Sequence, residues 1–293
     1  MRAAPVTLAA LAAVGLSTLV LAACAGPAEP SPRVTVTATA TPDPGIVPSP
    51  TVTVTADPFA RPEWLGRAVL EKQDNDLALP VETPPELRDR RLSPRPGAHP
   101  DPSSDAWFVE ITPVPDEVLE RSSWREECPV PAEDLAYVVM PFWGFDMRPH
   151  TGEMITSAAH AEDLASVFEQ MYERRFPIEE MRVTTWEEVR GDHTGDLNVT
   201  ISFECRMVTG GFDRWSQHAH GLAVDINPFH NPWVRDGYVF PELASAYRDR
   251  TWLRPGMVET QRQMIADFRG IGWDWGGTWT DLDDWMHFSA TGL

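Results

Sequence analysis

Basic side chains are scarce in this 293-residue chain. It has 24 lysines and arginines against 44 aspartates and glutamates, which gives a formal net charge of −20 at pH 7. Such a surface repels the phosphates of nucleic acid, anionic lipid headgroups and anionic wall polymers. We therefore expect no nucleic-acid partner, and we interpret the charge as a solvated acidic surface.

Cysteine is also scarce, with three residues in the chain. The first, Cys24, follows an apolar run from Ala3 to Ala23 that begins after the charged Arg2. A charged start, an apolar centre and small residues before a cleavage point are typical of a secretory signal, here residues 1–23. The ending Leu-Ala-Ala-Cys resembles the signal of bacterial lipoproteins.

The lipoprotein resemblance implies cleavage before Cys24 and a lipid on its sulfur. The protein would then be extracytoplasmic and anchored to the bacterial cell membrane. A plain signal peptide and a retained membrane helix are the alternatives. If Cys24 carries lipid, Cys128 and Cys205 remain as an even pair in an oxidising compartment, which predicts a disulfide between them. Two buried free thiols are the alternative to that disulfide.

Proline is frequent in two N-terminal segments that are not expected to form part of a hydrophobic core. Residues 24–60 alternate Pro, Thr, Val and Ala, which is typical of an extended spacer. Residues 61–111 also contain repeated prolines, and they are interpreted either as further linker or as an N-terminal extension that wraps the domain. A single globular domain is predicted over residues 112–293.

Apolar periodicity predicts both helices and strands in that domain. Strands are predicted at residues 136–142, 199–203 and 223–226. Helices are predicted at residues 160–175 and from about residue 257 to 268, with Gly270 ending the second. Because the strands and helices show no regular βαβ spacing, the pattern indicates an α+β fold with a small, mainly antiparallel sheet and flanking helices.

Two stretches hold the residue types that a hydrolytic zinc site needs: Ser216-Gln-His-Ala-His-Gly-Leu-Ala-Val-Asp225 and Asp284-Trp-Met-His287. A catalytic zinc takes three His, Asp or Glu ligands and keeps one position open. His218, Asp225 and His287 can be the ligands. Asp284 then remains as the carboxylate that moves the proton of the attacking water.

Two local geometries are expected for these residues. Gly221 allows a sharp reversal of the chain between His218 and Asp225, which is placed at the end of a strand. Asp284 and His287 are separated by three positions, so they are expected to face the same way on one helical turn.

The same residues resemble a family of bacterial cell-wall peptidases. The motif Ser-x-His-x-x-Gly-x-Ala-x-Asp begins at Ser216 and is followed by Ile-Asn-Pro and Asn-Pro, and a second block has Gly-Trp-x-Trp-Gly-Gly-x-Trp from Gly272 and Asp-x-x-His-Phe from Asp284. These motifs are similar to those of the VanY-like D-alanyl-D-alanine carboxypeptidases and the related L-alanyl-D-glutamate endopeptidases. The resemblance covers roughly Leu119 to the C-terminus.

This resemblance implies a hedgehog/DD-peptidase-like zinc peptidase fold, a Zn²⁺ cofactor and hydrolysis of an amide bond in peptidoglycan stem peptides. His218, Asp225 and His287 match the zinc ligands of the family, and Asp284 matches its general base. The aromatic block and the use of Asp as base favour the L-Ala–D-Glu endopeptidases, with the D-Ala–D-Ala carboxypeptidases close behind.

Other candidate residues carry two interpretations each. Arg206 matches a family position where a cation orients a substrate carboxylate, and a structural ion pair is the alternative. Ser216 is expected either to bind substrate or to cap the ligand loop. His220 is expected at the rim of the site and His230 outside it.

A non-catalytic, zinc-containing cell-wall binding module is the alternative function. The presence of Asp284 beside a full ligand set favours an enzyme over that module. The sequence indicates no obligate protein partner.

Overall fold

Eleven short strands and four α-helices make up the regular structure of the residues described by the computed structural model, which are 57–74, 77–192, 194–209 and 213–293. The predicted signal, the lipidation site at Cys24 and most of the predicted spacer lie outside these residues. No helix in the described residues is long and apolar enough to cross a membrane.

The strands are β1 (Glu110–Pro113), β2 (Leu135–Trp143), β3 (Pro149–Ser157), β4 (Glu180–Met181), β5 (Val199–Thr200), β6 (Ala223–Asp225), β7 (Trp233–Arg235), β8 (Tyr238–Phe240), β9 (Asp274–Trp275), β10 (Asp283–Asp284) and β11 (His287–Ser289). The α-helices are α1 (Asp116–Arg121), α2 (Ala161–Glu173), α3 (Trp186–Arg190) and α4 (Gln263–Gly270). Short 3-10 helices span Pro85–Leu87, Ala132–Asp134, Gln217–His220, Glu242–Arg248, Val258–Gln261 and Gly276–Thr278.

The strands form several small sheets. Three antiparallel sheets have the orders β1-β2-β3, β10-β7-β8 and β6-β11-β9, and β4 pairs with β5 in parallel. The predicted mixture of helices with small antiparallel sheets, the α+β class, is confirmed. The expectation of one small sheet differs from the structure, because the strands near the site are only two or three residues long and each group has its own partners.

The largest core lies between α2, the β2–β3 hairpin, α4 and the β6-β11-β9 sheet. Helix α2 buries its apolar stripe, Leu164, Val167, Phe168 and Met171, in this core. Each such side chain stabilises the fold by about 1.5–3 kcal/mol on burial. Phe288 of β11 stacks on Phe268 of α4, with ring centroids 4.0 Å apart. The sheet that carries the site is therefore fixed to the core through β11.

The second predicted helix is divided in the structure. A 3-10 helix covers Val258–Gln261, and α4 begins at Gln263 and ends at Gly270. Met264 and Phe268, two of the apolar residues that predicted this helix, are buried in the largest core.

Residues 57–111 belong to the same compact unit as the rest of the described chain. Leu87 and Leu92 pack in a second core with Phe229 and other residues that lie near β7 and β8. The side chain of Arg90 is buried and donates two hydrogen bonds of 2.8 Å to the Glu179 carboxylate. These contacts are those of an extension packed on the domain.

Cys128 and Cys205 form a disulfide bond across 77 positions of sequence. Cys205 is buried in a third core with Phe203, Val139 and Tyr137, and Cys128 packs against that core. The bond joins the segment that precedes β2 to the segment that leads from β5 toward the candidate site.

Candidate metal centre

The centre of the site lies where β6 and β11 pair. In this antiparallel pair His287 is directly opposite Asp225, and opposite residues have their Cβ atoms about 4.5–5.5 Å apart. The Nδ1 atom of His287 is 3.1 Å from Oδ1 of Asp225. Two backbone hydrogen bonds to Ile201, of 2.8 and 3.2 Å, hold Asp225 from its other side.

His218 reaches the same point from the 3-10 helix Gln217–His220. Its Nε2 atom is 3.2 Å from Oδ2 of Asp225 and 3.2 Å from Nδ1 of His287. Gly221 ends this helix with φ of 65°, in the left-handed region, and a Cβ there would lie 2.5 Å from the Ser157 nitrogen. Glycine is therefore required at position 221 both by conformation and by space.

The outer nitrogens of both histidines are bonded to backbone carbonyls. His218 Nδ1 is 2.7 Å from the Ser202 oxygen, and His287 Nε2 is 3.0 Å from the Leu293 oxygen. A main-chain oxygen only accepts, so these outer nitrogens carry protons, and when the rings are neutral the two inner nitrogens present lone pairs. The lone pairs and the Asp225 carboxylate face one another as three acceptors, which is an arrangement that fits a cation.

The charges of the site point to the same conclusion. Burial favours a lower pKa for His287, yet its hydrogen bond with Asp225 and the charges of Asp225 and Asp284 raise that pKa overall. Burial favours a higher pKa for Asp225, but the charge of His218 and hydrogen bonds to both histidines hold that pKa well below its ordinary value. The metal-free site thus stabilises positive charge where a metal would lie.

The three side chains could hold a metal ion. They are at most 6 % exposed, and their ligand atoms lie within 4.8 Å of one another. Two imidazoles and one carboxylate are a donor set that suits a first-row transition metal. In the described residues this is the one group of three or more His, Cys, Asp or Glu side chains with such spacing.

The helical turn expected for Asp284 and His287 is wrong. Asp284 lies in β10 and pairs with Trp233 of β7, whereas His287 lies in β11 and pairs with β6. The chain changes sheet between the two residues, because each strand forms its hydrogen bonds with a different partner. Asp284 nevertheless lines the same pocket as the three candidate ligands.

Asp284 has the properties of a proton acceptor. Its Oδ1 atom is buried and has no hydrogen-bond partner among the described residues. Burial raises the pKa of Asp284 to about 7, with help from the charge of Asp225 and against the charges of His287 and Arg206. A carboxylate with such a pKa can exchange a proton near neutral pH.

Arg206 forms a structural ion pair and also lies in the pocket, as its two interpretations require. Its Nε donates to Oε2 of Glu204 at 2.8 Å, which is a structural ion pair. Its side chain also lines the pocket. Although burial alone would lower the pKa of Arg206, the charges of Glu204, Asp225 and Asp284 raise it, so the guanidinium is a permanent cation beside the candidate ligands.

Ser216 caps the ligand helix and lines the pocket. Its Oγ accepts a hydrogen bond of 3.3 Å from the His218 nitrogen. The hydroxyl therefore fixes the backbone of a candidate ligand, and it lies on the pocket surface as well.

His230 and His220 lie apart from the ligand group. His230 is buried, stacks on Phe145 at 4.9 Å, accepts from Asn198 and donates to the Arg90 oxygen. Burial lowers the pKa of His230 to about 3, so it is neutral. His220 is half-buried at the end of the ligand helix, and it is not part of the ligand group.

The asparagines of the Ile-Asn-Pro and Asn-Pro motifs are structural. Asn227 and Asn231 are buried, and each donates to the Gly256 oxygen, at 3.2 and 3.0 Å. Asn227 also donates to Pro177 at 2.8 Å. They hold together the loops behind β6.

The pocket over the candidate ligands is open to solvent and has a cavity volume of about 180 Å³. Several of its residues were not predicted from the sequence: Trp233, Arg235, Phe240, Met286 and Leu293. Trp233 directly follows the Asn-Pro motif, which was the available signal that this strand lies near the site.

Comparison with known proteins bears on this same region. Searches of curated proteins and of solved structures each found no significant match. A family model described as D-alanyl-D-alanine carboxypeptidase matches residues 210–290, roughly a quarter of the chain, and this segment includes the three candidate ligands and Asp284. Over that segment the chain has the sequence pattern of the D-alanyl-D-alanine carboxypeptidase family, and the resemblance predicted from its two motifs is confirmed there.

Proposed function

We propose that this protein is a zinc-dependent peptidase that hydrolyses an amide bond in peptidoglycan stem peptides. One observation carries the proposal: His218, Asp225 and His287 converge in the same open pocket as Asp284, a half-buried carboxylate whose Oδ1 atom is buried. The family match over residues 210–290 supports a peptidase that acts on cell-wall substrates of the D-Ala–D-Ala type. The hedgehog/DD-peptidase-like fold is part of this proposal.

Each residue of the site has a separate role in the proposed hydrolysis. A zinc ion held by His218, Asp225 and His287 would supply a Lewis acid that polarises the scissile carbonyl and activates water. Asp284 accepts the proton of the attacking water as its oxygen bonds to the carbonyl carbon. Asp284 then donates that proton to the amine nitrogen as the carbon–nitrogen bond breaks. Arg206 orients a substrate carboxylate.

Two bonds remain candidates for this chemistry. The description of the matching family favours the D-Ala–D-Ala bond, while the aromatic block and the Asp284 base favour the L-Ala–D-Glu bond. A carboxypeptidase must bind a terminal carboxylate close to the scissile amide, whereas an endopeptidase must leave room for the chain to continue.

We further propose that the protein acts outside the cell membrane, anchored through a lipid on Cys24 and separated from the membrane by residues 24–60. The sequence of residues 1–24 motivates this location. The Cys128–Cys205 disulfide supports an oxidising compartment.

The test is digestion of purified muropeptides by the zinc-loaded protein, with the products identified by mass spectrometry. Release of a terminal D-Ala would identify a carboxypeptidase, and cleavage after L-Ala an endopeptidase. Asp284→Asn keeps the size of the side chain and should bind zinc as tightly as the wild type. Because it cannot accept the proton, its rate should fall by about 10²–10⁴-fold.

A wild-type protein that binds zinc and cleaves neither bond would contradict the proposal. The zinc-containing binding module would then be the better interpretation of the same residues.

A further inference from the structure

One wall of the pocket is a sheet that carries no candidate metal ligand. In the β10-β7-β8 sheet, Asp284 is opposite Trp233, and Trp233 is opposite Phe240. Directly opposite residues project from the same face of a sheet. Asp284, Trp233 and Phe240 therefore form one row across the sheet, and all three line the pocket.

Arg235 extends this face away from the row. It follows Trp233 by two positions on β7, so it lies on the same face about 7 Å further along the strand. Arg235 also lines the pocket. Its side chain is 36 % exposed and pairs at 3.3 Å with Asp236, whose side chain is 79 % exposed. An exposed pair of this kind is weak and exchanges readily for a better carboxylate.

The pocket reverses the charge balance of the protein. The whole chain has 44 acidic and 24 basic residues, but the pocket is lined by Arg206, Arg214 and Arg235 against Asp225 and Asp284. Both aspartates already have roles in the proposed metal and proton chemistry. Excess cations in a pocket of an acidic protein favour an anionic ligand.

Two of these arginines lie at different distances from the chemistry. The charge of Arg206 acts directly on Asp225 and Asp284, so Arg206 is next to the candidate ligands. Arg235 is separated from the row that contains Asp284 by two residues of β7. Arg206 and Arg235 are therefore better placed to bind two separate carboxylates than to bind the same one.

We propose that the pocket face of the β10-β7-β8 sheet is a second carboxylate subsite, in which Arg235 binds a substrate carboxylate within two residues of the scissile amide. The inference rests on the proposed function for the position of that amide. An extended peptide advances about 3.3–3.6 Å per residue, so about 7 Å corresponds to two residues. Trp233, which lies between Asp284 and Arg235 on this face, contacts the peptide between the two points.

The D-glutamate of a stem peptide offers a carboxylate within this range of two residues. Its α-carboxyl group is next to the scissile amide if L-Ala–D-Glu is cut, and two residues before it if D-Ala–D-Ala is cut. Amidation of that group removes the charge and leaves the rest of the peptide unchanged. Arg235 would therefore make the enzyme selective for the free acid over the amide.

The test compares two stem pentapeptides that differ only in this carboxyl group, free or amidated, with the zinc-loaded full chain. The wild type should favour the acid by on the order of tenfold in kcat/KM, mainly through KM, because a charge-assisted bidentate bond is lost with the amide. Arg235→Gln should bring the acid-to-amide ratio close to one. Arg235→Lys should keep part of the preference, because it retains the charge without the fork.

Arg91→Gln is the matched control. Arg91 is similarly exposed, at 43 % of its side chain, and pairs with the nearby Asp89, but it is not part of the pocket. Its acid-to-amide ratio should equal that of the wild type. An Arg235→Gln variant that keeps the wild-type ratio would overturn the subsite.

Binding to zinc-loaded Asp284→Asn, measured by calorimetry, separates this inference from the proposed hydrolysis. If the wild type cleaves neither peptide but Asp284→Asn binds the acid more tightly, and Arg235→Gln abolishes that preference, hydrolysis fails and the subsite stands. If cleavage occurs and neither binding nor kcat/KM distinguishes the acid from the amide, the subsite fails and hydrolysis stands. Absence of both cleavage and preference overturns both.

Discussion

At this site the types of the reactive residues follow from the chemistry, whereas their environments follow from packing. His218, Asp225, His287 and Asp284 could be chosen from the sequence because metal coordination and proton transfer require those residue types. The partial burial of Asp284 could not be foreseen, and the loss of solvent around its carboxylate is what raises its pKa to about 7. The sequence shows which groups titrate, but their environment comes from residues distant in sequence.

Gly276 is a residue whose role only the structure shows. A Cβ at this position would lie 2.7 Å from the backbone oxygen of Asp284 and 2.9 Å from its Cβ. Its φ is not in the left-handed region, so space and not conformation excludes a side chain. Glycine at position 276 therefore lets the candidate base lie against the 3-10 helix Gly276–Thr278.

We predict that Gly276→Ala lowers kcat by about 10²-fold, because a displacement of the base by about 1 Å has an effect of that size. Zinc affinity should remain unchanged, because the three atoms nearest the added methyl group belong to Asp284 and Trp279 and not to a candidate ligand. Gly270→Ala is the control, since nothing lies within 4 Å of a Cβ there. Steady-state kinetics and chelator competition measure the two quantities, and a loss of zinc together with kcat would contradict this role.

At the scale of elements, the sequence predicted strands and helices where periodic runs are long. Helix α2 was expected at residues 160–175 and spans Ala161–Glu173, because its apolar stripe packs on the β2–β3 hairpin. The predicted strand at 199–203 is regular only over Val199–Thr200. Short elements depend on their partners and leave a weaker local signal.

The segment from Asp284 to His287 shows this dependence most clearly. Its local spacing is that of a helical turn, but His287 pairs with a strand that ends 62 positions earlier, at Asp225. Asp284 pairs instead with β7. The antiparallel ladders satisfy backbone groups that one helical turn would leave open. Partners so distant in sequence have no trace in local periodicity.

The segment after β11 also contributes to the site, through one carbonyl. Gly292 has φ of 71°, and the Leu293 oxygen accepts from His287 Nε2 at 3.0 Å. This main-chain oxygen keeps a proton on the outer nitrogen and fixes the orientation of the ring, whose Nδ1 atom lies 3.1 Å from Oδ1 of Asp225. Such a bond to a histidine ligand sets its tautomer and its ring orientation.

We predict that a variant lacking Leu293 binds zinc about 10–100-fold more weakly, which is the usual cost of losing an outer partner of a metal ligand. Leu293→Ala keeps the main-chain oxygen that accepts from His287 and should keep the affinity. Competition with a chromogenic chelator measures both values. Equal affinities in the two variants would show that the carbonyl does not position His287.

At the scale of the whole molecule, residues 57–111 are integrated with the domain through arginines that pair with buried glutamates. The prolines of this segment are typical of a linker, but its arginines form ion pairs with the domain. Arg61 and Arg90 pair with Glu179, and Arg95 pairs with Glu180. Burying one partner of such a pair alone would cost about 3–5 kcal/mol, so extension and domain are expected to unfold together.

His230 joins this extension to the domain and makes the stability of the whole unit depend on pH. Its Nε2 donates to the backbone oxygen of Arg90 at 2.9 Å, and Asn198 donates to its Nδ1 at 3.1 Å. Burial, with the charges of Arg90, Arg254 and Arg250, lowers its pKa to about 3. In the unfolded chain the ordinary pKa is about 6.5.

Between these two pKa values the unfolded chain binds a proton at His230 and the folded protein does not. The stability that the neutral ring contributes is therefore fully present above about pH 6.5, and it declines by up to about 1.4 kcal/mol per pH unit as the pH falls toward 3. His230→Gln removes the titrating group and keeps a side-chain donor. We predict that the variant has the lower free energy of unfolding at pH 7. Between pH 6 and 4 the difference in free energy of unfolding between wild type and variant should shrink by about 1.4 kcal/mol per pH unit, the slope for one proton. Urea unfolding at several pH values measures both curves, and the carboxylates that titrate in this range contribute equally to each. Parallel curves would mean that His230 is protonated in the folded protein. The buried contact between extension and domain would then contain a fourth positive charge beside Arg90, Arg250 and Arg254.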